Sequence, residues 1–125
     1  MRAINIVARS LAGEFGGALR ALDEAHVHVR RRRLAPGTRG LFLPLTPQRP
    51  IAGLLLAHDV TAAERERLLT LALGHHLLRH RTLDCYPYLA TGPAFDDARA
   101  RAEAAAFADA FTAALPPARR LRLVR

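Results

Sequence analysis

The segment from residue 61 to residue 81, TAAERERLLTLALGHHLLRHR, is the strongest constraint on how this chain can fold. Thr61 followed three residues later by Glu64 is the sequence pattern of a capping box, so a helix is predicted to begin there. Apolar side chains cover nearly the whole circumference of this helix and leave only a narrow gap at Thr70, Gly74 and Arg81. The sequence therefore predicts a central helix that the rest of the chain encloses on most sides.

Three short segments before this helix have the patterns of strands. HVHVRRRRL, residues 26–34, alternates and places Val27 and Val29 on one face. LFLPL, residues 41–45, contains Pro44, which confines the strand to a sheet edge or ends it. IAGLLLA, residues 51–57, is apolar throughout and is typical of a central strand. Because short turns join the three segments, they are predicted to pair antiparallel as a meander.

Helices are predicted at both ends of the chain. Residues 94–115 form an alanine-rich pattern with Asp96 and Asp97 in the first turn and a Pro-Pro pair after the end. Residues 82–93 are expected to be an irregular connection, and residues 118–125 could be a last strand, a short helix or a frayed end. Near the N-terminus, glycines either permit close packing or divide the helix in two; its predicted apolar stripe is Ile4, Val7, Leu11, Phe15, Leu19 and Leu22.

These patterns predict one α+β domain that comprises residues 1–125, with an N-terminal helix, a three-stranded antiparallel meander, a buried central helix and a C-terminal alanine-rich helix. A chain of 125 residues, half of them apolar, is long enough for one core. Since no apolar run reaches membrane-spanning length, we expect a cytoplasmic protein without membrane contact. Cys85 is the only cysteine, so a zinc site would need histidines and carboxylates.

The charge of the chain favours acidic partners. Its 19 basic residues are all arginines, and the formal net charge is +8. The densest block, Arg30 to Arg33, lies in a predicted strand, where only alternate side chains share a face. No aromatic residues are interleaved with these arginines, as a single-strand nucleic-acid binder would require. Nucleic acid nevertheless remains a possible partner.

Three blocks of the chain carry a family resemblance: PGTRGLFLPL, IAGLLLAHDVTAAERERLLTLALGHHLLRH and EAAAFADAFTAALP. Together they resemble the ImmA/IrrE family, metallopeptidase domains that control helix-turn-helix repressors by cleaving them. The resemblance extends from about residue 20 to residue 116. It implies a minimal zincin-like fold, a zinc cofactor and a repressor as protein partner.

The resemblance also shows which parts of the family's H-E-x-x-H motif this chain has lost. In the family, two histidines bind zinc and the glutamate takes a proton from the zinc-bound water. An alignment without gaps places Leu71 at the first histidine, Ala72 at the glutamate and His75 at the second histidine. Leu71 cannot donate a lone pair and Ala72 cannot accept a proton, so we expect no catalytic residue here.

The resemblance leaves His75 and Glu103 as candidate metal ligands, with Glu103 at the position of the family's third ligand. The alternative for these two residues is a direct hydrogen bond that joins two core helices. His76 and His80 form a second candidate pair, because they too are separated by one helical turn. We expect no cofactor, although zinc remains possible.

The sequence therefore predicts a pseudoenzyme in transcription regulation that binds a repressor or a related partner without cutting it. One alternative is an active metal-dependent peptidase with a rearranged site built from His75, His76, His80 and Glu103. A second alternative is a basic nucleic-acid-binding module.

Overall fold

The computed structural model describes residues 2–116, which form an α+β fold with helices packed on a five-stranded sheet. The predicted fold class is thus confirmed at this level, and the predicted element at residues 118–125 lies outside the described residues. In chain order the elements are α1 (Arg2–Phe15), α2 (Ala18–Glu24), β1 (His28–Arg32), β2 (Thr38–Leu43), β3 (Gly53–Ala57), α3 (Ala62–Leu77), β4 (Tyr86–Leu89), β5 (Gly92–Pro93) and α4 (Ala98–Ala114).

The predicted N-terminal helix is divided into α1 and α2. Gly16 has a φ of 70°, a left-handed conformation that glycine adopts without steric cost, and its N–H donates to the Ala12 carbonyl at 2.9 Å. The predicted apolar stripe is wrong in part, since Val7 is 43% exposed and Leu19 is 39% exposed. The face that α1 buries is narrower and consists of Ile4, Ala8 and Ala12. It packs against α4, and its two alanines let the helices approach closely because their side chains are small.

The predicted meander is wrong. The strand order is β1-β3-β2-β4-β5, and β1 pairs parallel with β3 while β2 pairs antiparallel with both β3 and β4. In this order β3 has a neighbour on each side, which encloses the apolar run from Leu54 to Leu56. In a three-stranded meander, β3 would lie at the edge of the sheet and this apolar run would have a neighbouring strand on one side only.

β4 and β5 lie where an irregular connection was predicted. Tyr86 and Tyr88 alternate with Pro87 and point to the buried face of the sheet. β4 pairs with β2 so that Tyr86 is opposite Phe42 and Tyr88 is opposite Gly40. This pairing places two tyrosine side chains beneath the helices.

The capping box at the start of α3 is confirmed. The Glu64 N–H donates to the Thr61 hydroxyl, and the Thr61 N–H donates to the Glu64 carboxylate, both at 3.1 Å. α3 is buried from Leu68 to His75. Thr70 and Gly74, which lie in the predicted gap of the apolar surface, do not face solvent. Both residues are buried, and Gly74 lies against Phe107 of α4.

α4 begins after Asp97, whose carboxylate accepts from the Ala100 N–H at 3.0 Å, and ends before Pro116. It packs against α1 and α3, and these helices lie on the face of the sheet that carries Leu54, Phe42 and Tyr86. Within residues 2–116, none of the helices has the length and apolar character needed to cross a bilayer.

Candidate functional site

α3 ends earlier than the periodicity predicted, and its last turn brings a histidine back towards the helix. Arg79 has a φ of 56°, and its N–H donates to the His76 carbonyl at 3.2 Å. The N–H of His80 donates to the His75 carbonyl at 3.0 Å. This pair of bonds is a Schellman motif, which reverses the chain and directs His80 inward.

A buried line of four polar side chains starts from this turn. His75 Nε2 lies 2.6 Å from the Tyr88 hydroxyl, and His75 Nδ1 lies 2.9 Å from His80 Nδ1. His80 Nε2 lies 2.8 Å from Glu103 Oε1, and the other oxygen of Glu103 accepts from Arg99 Nε at 3.3 Å. We call Tyr88, His75, His80 and Glu103 the polar chain; it joins β4, the end of α3 and α4.

His75 is enclosed by aromatic rings. Its side chain is 0% exposed and lies between Phe42, at 5.5 Å between ring centroids, and Tyr86, at 4.6 Å. Burial, together with the nearby His80, lowers the pKa of His75 to about 3. The imidazole is therefore neutral near pH 7, with one nitrogen that donates and one that accepts.

The charge on Glu103 sets the direction of its hydrogen bond with His80. The bond from His80 is the main cause that lowers the pKa of Glu103, so this side chain is a carboxylate and accepts. In the arrangement where His80 Nδ1 accepts from His75 Nδ1–H, His75 Nε2 accepts from the Tyr88 hydroxyl. Burial raises the pKa of Tyr88, which keeps the phenol protonated and able to donate.

The structure corrects two predictions about these side chains. A direct His75–Glu103 bond is not present, because His80 lies between the two and bonds to both. His76 and His80 are not one turn apart on a continuous helix, since the helix ends at Leu77 and the ring of His80 turns towards His75. Burial is the main cause that lowers the pKa of His76, and Arg81 contributes.

Among residues 2–116, no three His, Cys, Asp or Glu side chains form a group that could hold a metal ion. Sequence reasoning found three members of the polar chain and missed Tyr88. The alternation of Tyr86 and Tyr88 was the signal that could have revealed it.

A cleft of about 350 Å³ lies beside the polar chain, between α3, α4 and the β4–β5 turn. Leu71 lines this cleft, whereas Ala72 is buried and does not. The cleft is therefore apolar at this position. Its other apolar lining residues include Leu68, Tyr88, Leu89, Pro93 and Ala105.

Three arginines and one glutamate border the cleft. Arg39 donates to Glu64 at 2.9 and 3.1 Å and to Asp59 at 3.0 Å; the bond to Glu64 lowers the pKa of that carboxyl to about 2. Arg67 donates to Asp109 at 2.7 Å.

Arg101 donates to the Phe95 carbonyl at 2.8 Å, and its guanidinium lies 5.9 Å from the centroid of the Phe95 ring. No ion pair with a carboxylate involves Arg101 in the described part of the chain. Its positive charge at the cleft is therefore not neutralised locally.

Comparison of the chain with protein-family models, with curated proteins and with solved structures finds no match.

Proposed function

We propose that this chain is a non-catalytic binding domain of the ImmA/IrrE type, which holds a helix-turn-helix repressor or a related protein without cleaving it. The observation that carries the proposal is the state of His75. Both of its ring nitrogens are hydrogen-bonded inside the protein, one to Tyr88 and one to His80.

Zinc binding at His75 would require the loss of one of these buried bonds. A metal ligand must offer a free lone pair, and removal of one partner from a buried polar pair leaves the other unsatisfied. The neighbouring positions give no compensation, since Leu71 and Ala72 have neither a lone pair nor a base. The chemistry of these residues favours binding over hydrolysis.

The cleft supports a protein segment as the ligand. Its volume suits one or two side chains, its floor is apolar, and Arg101 at its border favours a ligand with negative charge. The resemblance to the ImmA/IrrE family suggests a repressor as the source of that segment. The alternative, an active peptidase with a rearranged site, would require His75, His80 and Glu103 to leave their present partners.

Metal analysis separates binding from hydrolysis. We expect purified protein to contain less than stoichiometric zinc, and its melting temperature to be the same with zinc and with a chelator. Stoichiometric zinc that is lost in His75→Ala, together with cleavage of a repressor that a chelator abolishes, would establish the peptidase alternative.

Peptide binding tests the cleft. Overlapping peptides from helix-turn-helix repressors of the source genome provide the probes, and retention of intact peptides is the expected result. Ala105→Trp should fill the cleft and weaken retention, because Ala105 lines it. Ala102→Trp, on the exposed surface of the same helix, is the matched control. Equal retention by both variants, or no retention by the parent protein, would contradict the proposal.

A further inference from the structure

β1 has one open edge, and the direction of its polar groups follows from one hydrogen bond. The strand lies at the end of the sheet with β3 on its only paired side. The His28 N–H donates to the Ala52 carbonyl, at the side where β3 lies. Because the polar groups of successive strand residues point to opposite sides, Val29 and Arg31 direct their N–H and C=O groups to the open edge.

Arginine side chains cover the carbonyls on this edge. Arg30 Nη1 donates to the Val29 carbonyl at 3.0 Å, and Arg32 Nη1 donates to the Arg31 carbonyl at 2.8 Å. Both arginines are exposed. Such bonds between exposed side chains and neighbouring backbone atoms are weak and exchange readily for stronger partners. The two arginine side chains therefore cover these carbonyls, but a pairing strand can displace them.

The positive charge of this edge is not compensated by carboxylates. Arg30, Arg31, Arg32 and Arg33 are all exposed, and the ion pairs within residues 2–116 involve none of them. A carboxylate would form charge-assisted bonds with these guanidinium groups, which are stronger than the present bonds to backbone carbonyls.

A groove of about 280 Å³ lies beside the start of the same edge, between α2 and β1. Leu19 of α2, Val27 and Val29 give it an apolar part, and its polar part consists of Asp23, His26, His28 and Arg30. Val29 and Arg31 share a sheet face with Leu54 and Leu56, whereas Arg30 and Arg32 lie on the opposite face. The first face is therefore apolar only around Val29, and the opposite face is basic at both Arg30 and Arg32.

We propose that β1 binds an extended segment of a partner protein in which acidic and apolar residues alternate. Its backbone adds a strand to the open edge and pairs with Val29 and Arg31. Its carboxylates bind Arg30 and Arg32 on the basic face, and its apolar side chains enter the groove beside Leu19 on the other. Asp23 disfavours an acidic side chain on that second face.

Two other occupants fit the edge less well. A second copy of β1 would place arginines against arginines, which is unfavourable between neighbouring strands. Nucleic acid could bind the guanidinium groups, but it would not use the free N–H and C=O groups or the apolar groove. The strand also lacks aromatic side chains on which bases could stack.

A peptide of alternating glutamate and valine, labelled with a fluorophore, provides the probe. We expect saturable binding by fluorescence anisotropy and amide shift changes at Val29 and Arg31. The same peptide with N-methylated valine amides keeps its charge but loses strand pairing, and its affinity should fall about tenfold or more. Equal affinity of the methylated peptide, or shift changes only in the cleft around Leu71, would overturn the proposal.

Matched arginine variants test the charge requirement. Arg30→Ser with Arg32→Ser should weaken peptide binding about tenfold. Arg2→Ser with Arg9→Ser removes the same charge from the exposed surface of α1 and should leave the affinity unchanged. An equal loss in both variants would show a general charge effect, and tight binding of duplex DNA without peptide binding would identify a nucleic-acid surface; either result overturns strand addition.

Discussion

His80 Nδ1 lies 2.9 Å from His75 Nδ1. The two histidines occupy the positions of a Schellman motif whose side chains usually form an apolar contact. The same turn ends α2, where the Val27 N–H donates to the Leu22 carbonyl at 2.9 Å and both of these side chains are buried. At the end of α3 a hydrogen-bonded histidine pair replaces that apolar contact. An ordinary helix ending thus provides the central link of the polar chain.

Stability should decrease as the pH falls, because His75 stays neutral only in the folded protein. The unfolded chain takes up a proton near the ordinary histidine pKa of 6.5, whereas the folded protein does so only near 3. The contribution of His75 is complete above pH 6.5 and is lost between these two values by at most about 1.4 kcal/mol per pH unit. Urea unfolding at several pH values measures this slope.

His75→Gln is the variant that identifies the source of the slope. It removes the titrating group, so the pH dependence between about 3 and 6.5 should become shallower by up to about one proton. His76→Gln should change the slope less, because His76 is only half-buried. If His75→Gln does not fold, an NMR titration of the parent protein decides; a His75 ring that protonates near pH 6 would show that the expected slope is wrong.

Tyr88→Phe should destabilise the protein more than Tyr86→Phe. Loss of the Tyr88 hydroxyl leaves His75 Nε2 buried without a donor, which costs about 1–3 kcal/mol. The Tyr86 hydroxyl makes only long contacts of 3.4 Å, to Thr82 and to the Leu83 N–H, so its loss should cost less than about 1 kcal/mol. Both tyrosines are buried, which makes them a fair pair for urea unfolding. Equal losses would mean that the short bond to His75 contributes little.

Local sequence patterns predicted the elements of the fold better than their pairing. The capping residues Thr61 and Glu64 act within one turn, so the start of α3 could be predicted. The alternation of Val27 and Val29 identifies a strand but does not specify which neighbour it pairs with. β4 was missed because Pro87 interrupts a very short segment, and its strand character comes from pairing with β2.

The candidate site shows the same limit at the level of single residues. His75 is buried, as the predicted hydrogen bond between two core helices requires, because α3 is regular at that point. His80 was placed as if the helix continued, since Arg79 gives no sequence signal of a left-handed turn. The bond between His80 and Glu103 joins residues 23 positions apart and depends on how α4 packs, which local spacing cannot reveal.

Arg79→Gly should stabilise the protein. Arg79 has a φ of 56°, a region that costs a residue with a Cβ atom about 1–2 kcal/mol and glycine almost nothing. Part of this gain is offset because glycine makes the unfolded chain more flexible, so we expect a net increase of up to about 1 kcal/mol. Arg81→Gly is the control, since Arg81 does not share this conformation and should only lose stability. A loss in both variants would show that the turn holds Arg79 without strain.

Gly74→Ala should destabilise the contact between α3 and α4. A Cβ atom at Gly74 would lie 3.1 Å from both Cβ and Cδ1 of Phe107, and the Phe107 Cβ cannot move unless the backbone of α4 moves. Overpacking of this kind costs about 1–3 kcal/mol. Gly13→Ala is the matched control because its Cβ would meet nothing within 4 Å, and better helix propensity should stabilise α1 by up to about 1 kcal/mol. Thermal or urea unfolding should therefore show a loss of stability for Gly74→Ala and a gain for Gly13→Ala. A gain in stability at both glycines would mean that α3 and α4 are not packed as closely as this distance requires.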